Sequence, residues 1–223
     1  MRRKGTDMDA RARRHRRILW CVAALTLAVV LPAALCPGAA KKLRRDDWQQ
    51  PARVVADLGL KPGSIIADVG CGRGYLTFRL AEAVGAGGKV FAEDVDAKAL
   101  KSIEDRIAKD HLKNIVVVKG VDADTKLQDE SLDAALFVNV FHHVPKQHRP
   151  GLAKDAVRAL KPGGHFFLID WTFNANVPYD KGRRIPRDDL LKLGAEAGLK
   201  LDAEFLYLEH QVFLRFRKPT APK

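Results

Sequence analysis

From Ser64 to Arg217 the chain alternates between short, continuously apolar runs and longer stretches whose apolar residues recur at helical intervals. A strand that is apolar on both faces has to be covered on both faces, which is the condition of a parallel sheet flanked by helices. Strands are expected at Ser64–Val69, Lys89–Asp94, Asn114–Lys119, Leu132–Asn139 and His165–Thr172. Helical spacing predicts Pro51–Leu60, Tyr75–Val84, Ala97–His111, Lys146–Leu160 and Arg187–Ala197, with Lys161-Pro162-Gly163-Gly164 read as a turn. Leu199–Glu209 and Gln211–Arg217 lie close enough in sequence to pair as an antiparallel hairpin. The expectation is an α/β fold: a seven-stranded, mostly parallel sheet with a C-terminal antiparallel hairpin and helices on both faces.

The 223 residues suit one domain with an appendage. The formal net charge of +12 invites a nucleic-acid reading, but its distribution removes it. Residues 1–45 hold 12 Lys/Arg against Asp7 and Asp9, which leaves a net +2 for residues 46–223. A nucleic-acid groove needs its excess on the folded domain, so no nucleic-acid partner is expected. The boundary is drawn there: residues 1–45 as a basic N-terminus with an apolar run, and 46–223 as the domain.

Within that appendage, five arginines between Arg11 and Arg17 precede an apolar run from Ile18 to Cys36. This is the layout of a signal peptide or an uncleaved membrane anchor. The run reaches the length of a membrane span, of about 20 residues; up to Pro32 it suits a cleavable signal. Gly38-Ala39-Ala40 offers small residues for cleavage, whereas Leu35 is too bulky for a lipoprotein signal ending at Cys36. Eight Lys/Arg precede the run and four follow, a bias toward a domain on the far side of the membrane. The expectation is membrane association or export, on either side. Cys21 and Cys36 fall in the run and Cys71 is alone in the domain, so no intradomain disulfide is expected.

The most informative segment is Ile66-Ala67-Asp68-Val69-Gly70-Cys71-Gly72-Arg73-Gly74-Tyr75, between an expected strand and an expected helix. Its G-x-G-x-G spacing differs from the G-x-G-x-x-G of dinucleotide binders, and Asp68 would repel a pyrophosphate. A nicotinamide-dependent oxidoreductase is therefore disfavoured. A carboxylate there suits a cationic or hydroxylated ligand, and the next strand ends in Glu93-Asp94, where an acid can grip a ribose diol.

With Lys89–Asp94, Asn139-Val140-Phe141-His142-His143-Val144 and Leu160–Gly164 following in order, the chain resembles the class I S-adenosylmethionine-dependent methyltransferases, in particular their small-molecule type 11 group. The likeness runs from about Trp48 to Phe216 and implies their Rossmann-like fold, with S-adenosylmethionine as methyl donor. By position it implies that Asp68 lies near the cofactor's methionine end and that Gly70, Cys71, Gly72 and Gly74 offer backbone contact. Asp94 would bind both ribose hydroxyls, ahead of Glu93, and Asn139 would stand beside the methionine moiety. The family's adenine-facing acid is replaced by Val121, so Asp122 or Asp124 would substitute.

Methyl transfer from a sulfonium needs mainly proximity and in-line orientation, with a base only where the acceptor must lose a proton. His142 and His143 are the candidate bases, and a structural role in the cofactor pocket is the competing reading for both. No metal is expected, because adjacent residues on a strand point apart and no Cys/His cluster supports them. Cys71 alone does not suit an arsenite methyltransferase, and no Asn-Pro-Pro-Tyr type sequence follows the fourth strand. Trp171, Phe173 and Tyr179 are read as loop anchors or as the wall of an acceptor pocket. The expected activity is methylation of a small-molecule or lipid-like acceptor. The alternative is a non-catalytic S-adenosylmethionine or S-adenosylhomocysteine sensor on a membrane tether.

Overall fold

The computed structural model describes residues 44–175 and 182–220; the apolar run Ile18–Cys36 and Tyr179 lie outside the described residues. Among the described residues no helix is long and apolar enough to cross a membrane. In chain order the elements are α1 (Arg45–Gln49), α2 (Pro51–Asp57), β1 (Ile65–Val69), α3 (Thr77–Val84), β2 (Lys89–Asp94), α4 (Ala97–Asp110), β3 (Ile115–Lys119) and β4 (Leu132–Val138). They continue with α5 (Arg149–Ala159), β5 (Leu160–Trp171), α6 (Arg187–Glu196), β6 (Lys200–Phe205) and β7 (Gln211–Arg217).

The seven strands form one sheet in the order β3-β2-β1-β4-β5-β7-β6. β1 to β5 run parallel, and β7 pairs antiparallel with both β5 and β6. This is the arrangement the sequence implies. Successive residues of a strand point to opposite faces, and the core divides accordingly. Ala134, Leu136 and Val138 of β4 join Val54, Leu80, Leu100 and Ile103 from α2, α3 and α4 on one face. Ala135 and Phe137 join Leu152, Ala156, Leu190 and Leu193 from α5 and α6 on the other. A one-residue slip would exchange the two sets, so double-sided burial fixes the register.

Four local expectations change. Lys161–Gly164, read as a turn, lies within β5: Leu160 already pairs with Leu132, and a register shift between Leu132 and Ala134 absorbs the glycines. Ideal Cβ atoms on Gly164 would sit 2.9–3.3 Å from the carbonyl oxygens of Lys161, Asp133 and Leu132, so only glycine fits there. The helix expected from Lys146 starts at Arg149, because Pro145 to His148 form a turn closed by the His148 N–H on the Pro145 carbonyl at 2.9 Å, and Pro150 suits a first turn. β6 ends at Phe205, short of the expected Glu209.

The fourth change is α1, which no apolar periodicity announces. Gln49 is fully buried and its Nε2 donates to Gln211 Oε1 of β7 at 2.7 Å, while Tyr75 Oη donates to Asp46 Oδ1 at 2.5 Å. Polar contacts seat this helix. Gln50, in the left-handed region at φ 46°, then turns the chain into Pro51 at the start of α2.

Phe137 is fully buried between Phe141 and Phe166, with ring centroids at 5.0 and 4.8 Å. Phe137→Ala should cost about 3–5 kcal/mol in guanidinium unfolding. Phe173→Ala, at a 59% exposed side chain, should stay within about 0.5 kcal/mol. Equal effects would contradict this placement of the core.

Candidate active site

The chain leaves β1 at Val69 and must turn to reach α3 on one face, whereas the connection after β4 leaves for α5 on the other. A crevice opens at the carboxyl edge where two parallel neighbours diverge in this way. Gly70 and Gly72 make the turn at φ 67° and 56°, in the left-handed region where a side chain is strained. A Cβ on Gly70 would stand 2.6 Å from Val140, whereas one on Gly72 would meet nothing within 4 Å. Backbone is thus bare toward the crevice at Gly72. Gly74 differs: its Cβ would strike the Phe78 ring at 2.6 Å, and it lines neither cavity described below, so its part is to let α3 pack.

Two adjoining cavities, of about 270 and 770 Å³, fill the crevice and share Gly70, Asp94, Asn139 and His143. The narrower is lined by Glu93, Val95, Val121 and Asp122 among others. Asp124 is not part of it; this residue bridges to Val121 and pairs with Lys126 at 2.5 Å. Of the two acids proposed by position, Asp122 is therefore the one at the cavity. The wider space is lined by Asp68, Cys71, Gly72, Tyr75, His142 and Trp171, and also by Arg45 and Trp48 of α1.

Three adjacent strand-end acids do different work. Asp68 is buried and its Oδ2 accepts from Thr77 Oγ1 at 2.7 Å; burial pushes its carboxyl up to about 6, against the Thr77 hydrogen bond. Glu93 turns inward, with Oε2 accepting the Gly70 N–H at 3.3 Å, and burial pushes it up to about 8. A Cβ on Gly120 would lie 1.7 Å from Glu93 Oε1, so the two positions interlock. Asp94 accepts the Gly72 N–H at 2.8 Å on one oxygen and the Asp96 N–H at 2.7 Å on the other. A carboxylate offers about four lone-pair sites, so Asp94 keeps acceptor capacity for two hydroxyls at the cavity wall. Carboxylates, bare glycine backbone and the apolar flanks Val95 and Val121 fit a nucleoside with a cationic substituent. A phosphate would be repelled.

The segment after β4 is held by polar contacts from β5 and β7. Asn139, in the left-handed region at φ 60°, accepts from Gln211 Nε2 at 2.7 Å, and Gln211 accepts from Gln49 at 2.7 Å, giving a relay of three amides from α1 to the end of β4. Asp170, almost fully buried, takes the His142 N–H at 3.2 Å, lies 2.6 Å from His142 Nδ1 and takes the Trp171 N–H at 2.8 Å. The His142 side chain is wholly buried, while His143 is exposed at the cavity and stacks on it with ring centroids 4.0 Å apart. Of the aromatic residues after β5, Trp171 lines the wider cavity and stacks on Trp48 at 4.9 Å; Phe173 does not line it.

Arg45, Gln49, Asp170 and Gln211 were not singled out from the sequence. Asp170 was findable, since acids at the carboxyl ends of parallel strands face the crevice. The other three come from a five-residue helix and an antiparallel strand, for which no local pattern speaks.

Residues 66–164, from β1 into β5, match the sequence family described as a methyltransferase domain. An arsenite methyltransferase of Halobacterium salinarum is 28% identical over 136 residues, which are 56% of this chain and 34% of that protein. A demethylmenaquinone methyltransferase of Bacillus cereus is 27% identical over 139 residues, 62% of this chain and 57% of that protein. The chain thus matches between a third and somewhat over half the length of these relatives. A SAM-dependent methyltransferase from Aquifex aeolicus has the same fold, with a TM-score of 0.72, 23% identity, and coverage of 78% of this chain and 92% of that one.

Glu93 sets a pH dependence. Its carboxyl is raised from 4.5 to about 8, so its stabilising contribution is complete below pH 4.5 and is lost as pH rises through 8. Glu93→Gln should therefore gain on the wild type by at least about 1 kcal/mol between pH 5 and pH 9 in urea unfolding. A difference independent of pH would show that Glu93 ionises freely.

Proposed function

We propose that this domain, which belongs to the class I S-adenosylmethionine-dependent methyltransferases, transfers a methyl group from S-adenosylmethionine to a small-molecule acceptor with an apolar ring or chain. The observation that carries the reading is the continuous crevice from Asp122 to Trp171, in which Asp94 and Asp68 stand where a ribose diol and a cation would lie. S-adenosylmethionine, when bound, supplies a methyl group on a sulfonium whose sulfur keeps the electron pair as the carbon leaves.

The protein's part is binding and orientation. Asp94 takes the hydroxyls, the glycine backbone lets the ligand approach, and Val95 and Val121 flank its base. The Asp170–His142 pair holds the wall after β4; removing His142 would leave the buried Asp170 carboxyl short of a partner, which typically costs about 1–3 kcal/mol. His143, exposed at the cavity, is the residue that would take a proton from an acidic acceptor.

Trp48, Tyr75 and Trp171 give the wider cavity an aromatic wall, which supports an apolar acceptor of the kind named for the demethylmenaquinone relative. An arsenite acceptor is less well served, since Cys71 is buried and burial and the neighbouring Asp68, Asp94 and Glu93 hold its thiol well above its ordinary range. A membrane tether through Ile18–Cys36 would bring the domain to apolar acceptors, and is part of the same proposal.

Incubation with S-adenosylmethionine and a panel of quinones, lipids and polar metabolites should give one product heavier by a CH₂ unit in mass spectrometry. Asp94→Ala should weaken cofactor binding by roughly 10- to 100-fold, the loss of charge-assisted hydrogen bonds. Tight cofactor binding with no methylated product from any acceptor class would favour the sensor reading instead.

A further inference from the structure

A side-chain amide carries a donor and an acceptor of nearly the same shape, so its orientation is decided by a neighbour that can only donate or only accept. The relay from Gln49 through Gln211 to Asn139 has two contacts of 2.7 Å, which three reversed amides would satisfy equally well. Its direction is set at the far end. Arg45 Nη2 lies 3.4 Å from Gln49 Oε1, and a guanidinium only donates. That guanidinium is itself held 3.7 Å from the Tyr75 ring centroid and 6.0 Å from that of Trp48. With its oxygen toward Arg45, Gln49 turns Nε2 to Gln211; Gln211 then turns Oε1 to Gln49 and Nε2 to Asn139, which accepts on Oδ1. One amino group is left over at the end of the chain, Asn139 Nδ2, and among the described residues it has no acceptor. Gln49 and Gln211 are buried and line neither cavity of the crevice, whereas Asn139 borders both, beside His143. The relay thus delivers a single N–H donor, of fixed direction, to the junction of the two cavities. Such a donor does not suit a sulfonium or an ammonium, and the ribose hydroxyls have Asp94; it suits an oxygen that accepts.

We propose that Asn139 Nδ2 donates to a carbonyl or oxyanion oxygen of the methyl acceptor, next to the atom that is methylated, and that Gln49 and Gln211 are positioning residues that hold the amide in that sense. The proposal rests on the S-adenosylmethionine reading above and narrows its acceptor class, from any apolar ring or chain to one that carries an oxygen beside the reacting atom. His143, at the same junction, would take the acceptor's proton, and Asn139 would meet the oxygen on which negative charge is left.

The test uses two bicyclic probes on the full chain saturated with S-adenosylhomocysteine: 1-tetralone, whose carbonyl only accepts, and tetralin, which lacks it. Calorimetry gives the ratio of their affinities, and infrared spectroscopy reads the carbonyl stretch of bound tetralone, which a hydrogen bond lowers. Asn139→Gly, a residue at ease at φ 60°, should cut the tetralone-to-tetralin ratio by about 3- to 10-fold and raise the stretch. Gln49→Glu keeps an oxygen for Arg45 but has no donor for Gln211, so it should turn the relay over and produce both changes from outside the cavity. Its S-adenosylhomocysteine affinity should stay within about twofold, which reports that the variant is folded; Asn139→Gly decides alone if it is not. An unchanged ratio in Asn139→Gly, or equal loss for both probes, would overturn the proposal. So would a change in Asn139→Gly that a folded Gln49→Glu does not share, since the relay would then not direct the amide. Weakened S-adenosylhomocysteine with an unchanged ratio in Asn139→Gly would put the amide on the cofactor and overturn it too. A wild type that binds S-adenosylhomocysteine but neither probe would do the same, whereas one that binds no S-adenosylhomocysteine would instead reject the S-adenosylmethionine reading itself.

Discussion

The parallel pairing of β1 with β2 on one side and β4 on the other is the constraint from which the site follows. Parallel neighbours end on the same edge, so Val69, Asp94 and Val138 finish side by side. Their chains then leave for opposite faces, and the gap between them cannot be closed by backbone. Side chains at the strand ends and the loop after β1 become its walls. The double-sided burial that locks the register therefore also sets the relative heights of Asp68 and Asp94, while Asn139, just beyond β4, is held by the amide relay through Gln211.

That edge gathers charge of one sign. Asp68, Glu93 and Asp94 stand within one short arc, and burial works against ionisation of the first two. Like charges at close range are tolerated in a folded protein when hydrogen bonds or a ligand cation offset them. Backbone donors from Gly70, Gly72 and Asp96 and the hydroxyl of Thr77 do part of this, and a cationic ligand would do the rest. The anion-rich floor makes Arg45 conspicuous: it is a cation brought in from outside the strand–loop–helix unit, by a helix with scarcely any apolar surface.

The sheet was legible because the parallel strands are largely apolar and the helices after α1 carry apolar residues at helical intervals; the bounds of β2 and β7 follow the sequence pattern to the residue. The glycine loop and Asp94 were legible because their spacing is local. What the sequence did not disclose depends on contacts across long separations. Gln49 and Gln211, 162 positions apart, are ordinary surface-type residues until the fold buries both and leaves each as the other's partner. The division of labour between His142 and His143 was equally hidden. Two adjacent, chemically identical side chains diverge because one is buried against Asp170 from β5 and the other is exposed, although both border the cavity. Arg45 follows the apolar run in sequence, and what that position does not disclose is that its side chain lines the cavity.

The placement of α1 means that the residues that build the sheet and the residues that complete the cavity wall are not the same set. A chain begun at residue 46, where the charge pattern alone would cut it, would retain every strand, both core layers and the carboxylates. It would lack the guanidinium that lies over Tyr75 and lines the cavity. Exchange of the N-terminal appendage between related proteins is therefore not neutral at that junction. The folded unit begins at Leu43, only two residues ahead of a side chain that lines the cavity.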